Sequence, residues 1–102
     1  MHSFKVNIAT SDNTKAPCFS ALKAKGYEVK ITLFILEEKD NARYYMYEAI
    51  KKGQLFTADS PEELLGLITM WETRGDVWRI TKDEAREYDE IEEQATIYDS
   101  TR

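Results

Sequence analysis

Two stretches of the chain alternate apolar and polar positions with the period of two that is typical of a β-strand. The first, residues 4–8, is short and has one apolar face. The second, residues 27–36, is longer, and its other face also becomes apolar at Phe34 and Leu36. We therefore predict two strands, and we expect another element or a second subunit to cover the end of the longer one.

The middle of the chain predicts an antiparallel meander. Charged residues 37–41 indicate a reverse turn, and residues 43–50 have the β-branched and aromatic composition of a returning strand. Residues 51–53 predict a second tight turn, because glycine adopts positive φ without steric cost. A third, shorter strand of the meander is expected over residues 54–58.

Two segments have the apolar spacing of helices that pack on a sheet. Residues 16–25 share one apolar face, and Gly26 follows them as a helix terminator. Ser60 precedes the second segment, residues 61–74, as an N-cap, and Glu63 is placed to close a capping box. These signals predict one helix over each segment.

The last helical segment is strongly acidic. Residues 83–93 contain seven carboxylates against one basic residue, Arg86. Apolar residues recur among and after them at helical spacing, and these are Ala85, Tyr88, Ile91, Ala95 and Tyr98. Thr81 has the position of an N-cap with a glutamate three residues later. The pattern predicts an anionic helix with a narrow apolar contact stripe.

Together these elements predict an α+β fold, with an antiparallel sheet of about four strands and two to three helices in a single two-layer domain over residues 1–102. Gly66 lies inside the predicted helix 61–74. A glycine inside a helix costs about 1 kcal/mol relative to alanine, so we expect the last helix or a second subunit to pack closely at this position.

The charge of the chain limits its partners. Its net charge is −5, with an excess of lysine in residues 1–36 and of acids in residues 60–102. A protein that neutralises nucleic-acid phosphates needs clustered lysine and arginine, so we expect no nucleic-acid partner. An acidic surface favours a basic protein partner, and a helix face that only keeps the protein soluble is the alternative interpretation.

The sequence contains few residues of catalytic type. It has one histidine, His2, and one cysteine, Cys18, and its four glycines are far apart. A histidine-based triad, a cysteine zinc site and a phosphate-binding loop are therefore not predicted. We expect no cofactor and no metal, and the sequence favours a non-enzyme over an enzyme. Cys18 is interpreted as a small buried hydrophobe or as a reactive thiol at a helix N-terminus.

No long apolar run is present at the start of the chain or elsewhere, so we expect a cytoplasmic protein without a membrane segment. Seven residues are candidate partner-binding residues because aromatic side chains and charges at a surface often form interfaces. They are Glu87, Glu90, Glu93, Tyr44, Tyr45, Tyr47 and Trp78. Cross-strand packing of the tyrosines and burial of the tryptophan are the alternatives.

The leading functional hypothesis is a small, acidic, non-enzymatic protein-binding module, similar in kind to an immunity, antitoxin or inhibitor protein, that uses the anionic C-terminal helix. One alternative is a ligand-binding or catalytic domain with a tyrosine-lined cleft at a dimer interface. A structural subunit without independent activity is another. A homodimer is expected because the tyrosine-rich strand lies beside the second apolar face of residues 27–36.

Overall fold

The chain forms an antiparallel sheet of three strands in the order β1-β2-β3. The computed structural model describes residues 3–100. The strands are β1 (Glu28–Leu36), β2 (Ala42–Lys51) and β3 (Gln54–Ala58). The meander that alternation and turn residues predict is therefore confirmed, with boundaries that agree to within one residue.

Both hairpin turns use left-handed backbone. Asp40 and Asn41 have φ of 55° and 59° after a short 3-10 helix, Glu37–Lys39. Lys52 and Gly53 have φ of 50° and 77° between β2 and β3. Asparagine, aspartate and glycine tolerate this region best, so these residues permit the tight reversals.

Three helices accompany the sheet among residues 3–100. They are α1 (Lys15–Ala24), α2 (Pro61–Arg74) and α3 (Lys82–Glu93), and a short 3-10 helix, Asp12–Thr14, precedes α1. Ser60 caps α2 by accepting a hydrogen bond from the Glu63 backbone N–H at 3.1 Å. Gly75, with φ of 78°, follows its last residue. The helix boundaries that the sequence predicts are thus observed, although no hydrogen bond from the Glu63 side chain closes the expected capping box at Ser60.

The sheet has three strands and not about four. Residues 4–8 lie outside it and have no regular secondary structure, and the side chains of Phe4, Val6 and Ile8 are between 73% and 76% exposed. Alternation alone does not make a strand, because a strand needs a neighbouring edge and a surface that covers its apolar face. The segment 76–80 is likewise irregular.

The core is small and lies where α1 and α2 meet the end of the sheet near Tyr27. It consists of five buried side chains, and these are Leu22, Tyr27, Ala49, Leu64 and Ile68. The face of the sheet that contains Ala49 packs against both helices, and we call it the helix-side face. An ion pair of 2.9 Å between Lys25 Nζ and Glu72 Oε1 joins the C-terminal ends of α1 and α2 near this core.

The chain exposes much more surface than a compact protein of its size. Its accessible area is 9090 Å², whereas a compact monomer of this mass exposes about 6,000 Å². Its radius of gyration is 17.8 Å, compared with about 13 Å for a compact domain of this length. Part of this excess lies on the irregular segments 3–10 and 95–100, and part lies on the sheet and α3, which the described residues cover incompletely.

Candidate functional site

The acidic helix α3 begins at a capping box that its sequence predicts. The Thr81 Oγ1 accepts a hydrogen bond from the Glu84 backbone N–H at 3.2 Å, and Glu84 Oε1 accepts one from the Thr81 N–H at 2.9 Å. Both bonds satisfy backbone donors that have no partner within the first helical turn. The start of α3 is therefore fixed by its own side chains.

Among residues 3–100, Arg74 makes the side-chain hydrogen bonds that join α3 to the end of α2. The Arg74 guanidinium, at the end of α2, donates to both carboxylate oxygens of Glu84 at 2.5 and 2.6 Å. Its other N–H groups donate to the carbonyl oxygens of Trp78 and Arg79 at 2.8 and 3.2 Å. We call these four hydrogen bonds the Arg74 clamp. They hold the loop after α2 and the first turn of α3 together.

The clamp also changes the acidity of Glu84. The hydrogen bonds from Arg74, followed by the backbone hydrogen bond from Thr81, lower the pKa of Glu84 to about 2 from an ordinary value of 4.5. The same carboxylate raises the pKa of Arg74. Charge-assisted bidentate pairs of this kind are geometrically specific, so the clamp sets the direction in which α3 leaves the body.

The three candidate carboxylates on α3 are exposed to solvent. Glu87, Glu90 and Glu93 form no ion pair with any residue in the range 3–100. Arg86 pairs with Asp83 at 2.9 Å and does not neutralise them. Helical spacing places Glu90 and Glu93 on the side of α3 opposite Tyr88, and Glu87 at its flank. The helix therefore presents a surface of unpaired negative charge.

The apolar stripe of α3 has almost no cover in the single chain. Tyr88 and Ile91 are 64% and 63% exposed. Glu84 lies on the same side of the helix by its spacing, so the stripe faces away from the unpaired acids at Glu90 and Glu93. The contact stripe is observed at Tyr88 and Ile91, but it does not extend to Ala95 and Tyr98 because α3 ends at Glu93, and the described part of the chain leaves most of its surface open.

Trp78 lines an open groove at the base of α3. The groove has a volume of about 710 Å³, and it is lined by Met70, Arg74, Trp78, Arg79, Ile80, Glu84 and Tyr88. The guanidinium of Arg79 lies 4.8 Å from the centre of the Trp78 ring. Trp78 is 41% exposed, so it forms the wall of a groove between α2 and α3 and is not among the buried core residues.

The three candidate tyrosines lie near the other end of α2. Tyr47 is partly buried against the core on the helix-side face, and Tyr45 extends the same face into solvent. Tyr44 lies on the opposite face, where its ring stacks on Phe34 with 5.0 Å between the ring centres. Together with Lys15 and Asp59 the three tyrosines border a recess of about 520 Å³. The structure brings them together near the N-terminal end of α2, whereas Trp78 and the start of α3 lie at its C-terminal end.

Within residues 3–100 the helix-side face of the outer part of the β1–β2 hairpin is largely open. β3 pairs with β2 only from Tyr47 to Lys51, and Tyr47 lies opposite Ile31 on β1, so the hairpin beyond Ile31 is a two-stranded ribbon. We call this ribbon, together with Ile31 at its base, the distal hairpin, residues 31–45. Four exposed side chains line its helix-side face, and these are Ile31, Leu33, Ile35 and Tyr45.

The cover that Phe34 and Leu36 led us to expect is only partly present. Phe34 is exposed except for its stacking contact with Tyr44, and Leu36 is partly buried. The helix-side residues of the distal hairpin were not recognised as surface residues from the sequence. The signal was present in strand length, because β1 has nine residues and β2 ten, whereas β3 has five.

The close contact expected at Gly66 is absent among the residues that the structure describes. A Cβ atom built on Gly66 meets no atom within 4 Å. The position instead borders an open groove of about 560 Å³ together with Met46, Thr57, Leu67 and Met70. Packing of α3 at Gly66 is therefore not observed, whereas the prediction that a second subunit packs there stays a prediction.

The described residues contain no recognisable metal site. Within residues 3–100 no three histidine, cysteine or acidic side chains are grouped so that they could hold a metal ion. Cys18 is partly buried in α1, and His2 lies outside the described residues. None of the helices in this range has the length and apolar character needed to cross a membrane.

Comparisons with known proteins do not assign the chain to a family. No family model matches it, and neither the curated proteins nor the solved structures contain a significant match.

Proposed function

We propose that the chain is a small, acidic, non-enzymatic protein-binding module that acts in the cytoplasm and covers a basic surface on its partner, in the manner of an immunity, antitoxin or inhibitor protein. The observation that carries this proposal is the display of α3. Its carboxylates Glu87, Glu90 and Glu93 are exposed and form no ion pair within residues 3–100. In this proposal residues 1–102 form one two-layer domain, with α1 and α2 on the sheet.

The Arg74 clamp supports this function because it orients the charged helix. Negative charges on a mobile tail attract cations without a defined geometry, whereas charges on an oriented helix can match a pattern of cations on a partner. The clamp joins Glu84 to Arg74 by two hydrogen bonds, so the first turn of α3 has a fixed position on the end of α2. We therefore expect α3 to be presented as a preformed binding element.

The experiment compares the native chain with a variant that contains Glu87→Gln, Glu90→Gln and Glu93→Gln. Both chains are purified from the native host with a tag, and bound proteins are quantified by mass spectrometry. A stoichiometric basic partner is expected with the native chain and a reduced amount with the variant. Purified partner should then associate more slowly with the variant at low salt, and the difference should shrink when the screening length falls to about 8 Å.

A matched control removes the same number of negative charges from a part of the molecule outside α3. Glu37→Gln, Glu38→Gln and Asp40→Asn together also remove three negative charges, but from the turn of the distal hairpin. Asparagine tolerates the left-handed backbone of Asp40. If the control slows association as much as the α3 variant does, total charge and not α3 drives binding. An α3 variant with an unchanged association rate at low salt contradicts the proposal.

The recess bordered by the tyrosines supports a second candidate function, the binding of a small ligand. Lys15 provides a cation, Asp59 an anion, and Tyr44, Tyr45 and Tyr47 provide aromatic surface. These are the components of many ligand sites, although the recess is open to solvent. A fragment screen by NMR distinguishes the two functions: shifts confined to the recess favour a ligand, and no shift there together with a bound basic protein favours the binding module. A structural subunit would show neither.

A further inference from the structure

Two elements of the molecule lack the cover that their stability requires. An isolated helix shorter than about 12–15 residues is marginal in water, and α3 has 12 residues with no buried side chain. A two-stranded ribbon is also marginal by itself, and the distal hairpin is such a ribbon. Each element therefore needs an apolar surface that the described chain does not place against it.

The two uncovered surfaces can pack against each other, because one is the apolar face of a hairpin and the other is the apolar stripe of a helix. The distal hairpin offers an apolar face formed by Ile31, Leu33 and Ile35, while α3 offers the stripe of Tyr88 and Ile91. An amphipathic helix that lays its apolar stripe on a sheet is a common packing of globular domains. Each of the two elements, α3 and the distal hairpin, therefore has an apolar surface that could cover the other.

The charges around the two surfaces also match. Arg43 lies opposite Ile35 on the helix-side face, and Lys15 borders the recess beside Tyr45. Neither cation is within ion-pair distance of a carboxylate in residues 3–100, although Lys15 lies near enough to Glu62 to contribute to the lowered pKa of that carboxyl. One acid, Asp59, also borders that recess. On α3, helical spacing places glutamates on both flanks of the stripe, so docking would bring these carboxylates towards Arg43 and Lys15.

The helix α3 does not reach the distal hairpin of its own chain. Its first turn is clamped to Arg74, at the C-terminal end of α2. Pro61, at the N-terminal end of α2, borders the same surface as Ile31. Fourteen residues of helix span about 21 Å, and the hairpin continues a further ~13 Å from Ile31 to Ile35. Ile91 is only about 10 Å along the axis of α3 from Glu84.

The exposed area favours a second copy that is closely intertwined. A standard interface covers about 800 Å² on each partner. The chain exposes 9090 Å², about 3,000 Å² more than a compact monomer, and the part of this excess that does not belong to the irregular segments 3–10 and 95–100 is available to a second copy. Reciprocal docking covers both α3 and the distal hairpin of each chain, so it removes more of this excess than a single flat contact does.

We propose that the chain forms a homodimer by reciprocal exchange of α3, in which the Tyr88–Ile91 stripe of each copy packs on the helix-side face of the distal hairpin of the other. The two contacts are equivalent and related by a two-fold axis, so the assembly closes at two copies. Glu90 and Glu93 lie on the other side of α3 and stay exposed, so the dimer does not depend on the proposed basic partner.

The test uses disulfide trapping between two different chains. Cys18→Ser removes the native thiol from both. One chain then contains Leu33→Cys and the other contains Ile91→Cys, and the two chains have tags of different mass. After co-expression and mild oxidation, the proposal predicts a disulfide-linked species that contains one chain of each kind, and little linked product when Leu33→Cys is oxidised alone.

A second measurement uses the oligomeric state of single variants. Native chain is expected to be dimeric by light scattering at micromolar concentration. Ile91→Asp places a charge in the proposed interface and should weaken the dimer roughly 30-fold or more. Leu55→Asp is the matched control, because Leu55 is also exposed but lies on β3, outside the distal hairpin. Leu55→Asp should leave the dissociation constant of the dimer unchanged.

Other results overturn the exchange. A native chain that is monomeric contradicts the proposal. A chain that contains both Leu33→Cys and Ile91→Cys and forms the disulfide within itself also contradicts it, because α3 would then reach its own hairpin. Linked product from Leu33→Cys alone, with none in the mixture, would indicate that hairpins pack on hairpins. These results differ from failure of the proposed function, in which the dimer persists and the α3 carboxylates have no effect on a partner.

Discussion

Two regions of the molecule contain similar apolar residues in similar patterns but bury them to very different extents. One is the end of the molecule near Tyr27, and the other consists of the two outer elements, α3 and the distal hairpin. Leu64 and Ile68 of α2 are completely buried against α1 and the sheet. Tyr88 and Ile91 of α3 also share one helix face, at a spacing of three residues instead of four, and they are mostly exposed. The difference shows that an amphipathic pattern specifies an apolar contact without specifying that the contact lies in the same chain.

The comparison has an energetic consequence. A folded domain is stable by only about 5–15 kcal/mol, and here five buried side chains form the core. Substitutions at the core end should therefore act on the folding of every molecule. Substitutions in α3 and in the distal hairpin should act mainly on association, because these surfaces are open in the single chain.

The largest expected effect is at the core end. Leu64→Ala should lower the free energy of unfolding by about 2–5 kcal/mol, because it removes buried methyl groups and leaves a cavity between the helices and the sheet. Urea unfolding followed by circular dichroism measures the change. The matched control is Leu55→Ala, an exposed leucine of β3 for which a change within about 0.5 kcal/mol is expected. Equal effects of the two variants would mean that the core end is not the main source of stability.

An intermediate effect is expected when the pH is lowered. The Arg74 clamp lowers the pKa of Glu84 to about 2 from 4.5, so its contribution to the attachment of α3 is complete above pH 4.5 and is lost as the pH falls towards 2. NMR of the Glu84 carboxyl carbon should give a midpoint near 2. The helical chemical shifts of α3 should weaken in the same range.

Arg74→Gln tests whether the clamp causes this behaviour. The variant removes the charge and the bidentate geometry, so the pKa of Glu84 should rise towards its ordinary range, while the core near Leu64 should be unchanged. A Glu84 midpoint that remains near 2 in Arg74→Gln would assign the low pKa to the capping hydrogen bonds at Thr81. In that case α3 would not owe its orientation to Arg74.

The comparison also explains which structural features the sequence predicts well. Turns and caps depend on a few neighbouring residues, so the hairpin at Gly53, the cap at Ser60 and the capping box at Thr81 are found where local chemistry places them. Cover by another element depends on distant parts of the chain. Residues 4–8 have the alternation of a strand but no sheet edge beside them, and the sequence does not reveal this.

The candidate site follows the same division. The sequence identifies the carboxylates Glu87, Glu90 and Glu93 as exposed because an acidic helix is visible in composition alone. It does not identify Arg74 as the residue that holds α3, because that pairing joins residues of two different helices. It also assigns the apolar residues of the distal hairpin to a covered face, since only the short length of β3 indicates otherwise.

The smallest expected effect is at Gly66. Its surface belongs neither to the core end near Tyr27 nor to α3 and the distal hairpin. Because no atom lies within 4 Å of a Cβ built there, Gly66→Ala should gain helix propensity without overpacking. The expected increase in the free energy of unfolding is about 0.5–1 kcal/mol, which differential scanning calorimetry detects as a higher Tm. Thr69→Ala, at an exposed position of the same helix where the hydroxyl donates to the Leu65 carbonyl oxygen at 2.9 Å, is a control for a change of propensity without a glycine. A lower Tm in Gly66→Ala, with the dimer intact, would mean that the groove beside Gly66 is filled in solution. The surface of the molecule that makes contacts would then extend along α2.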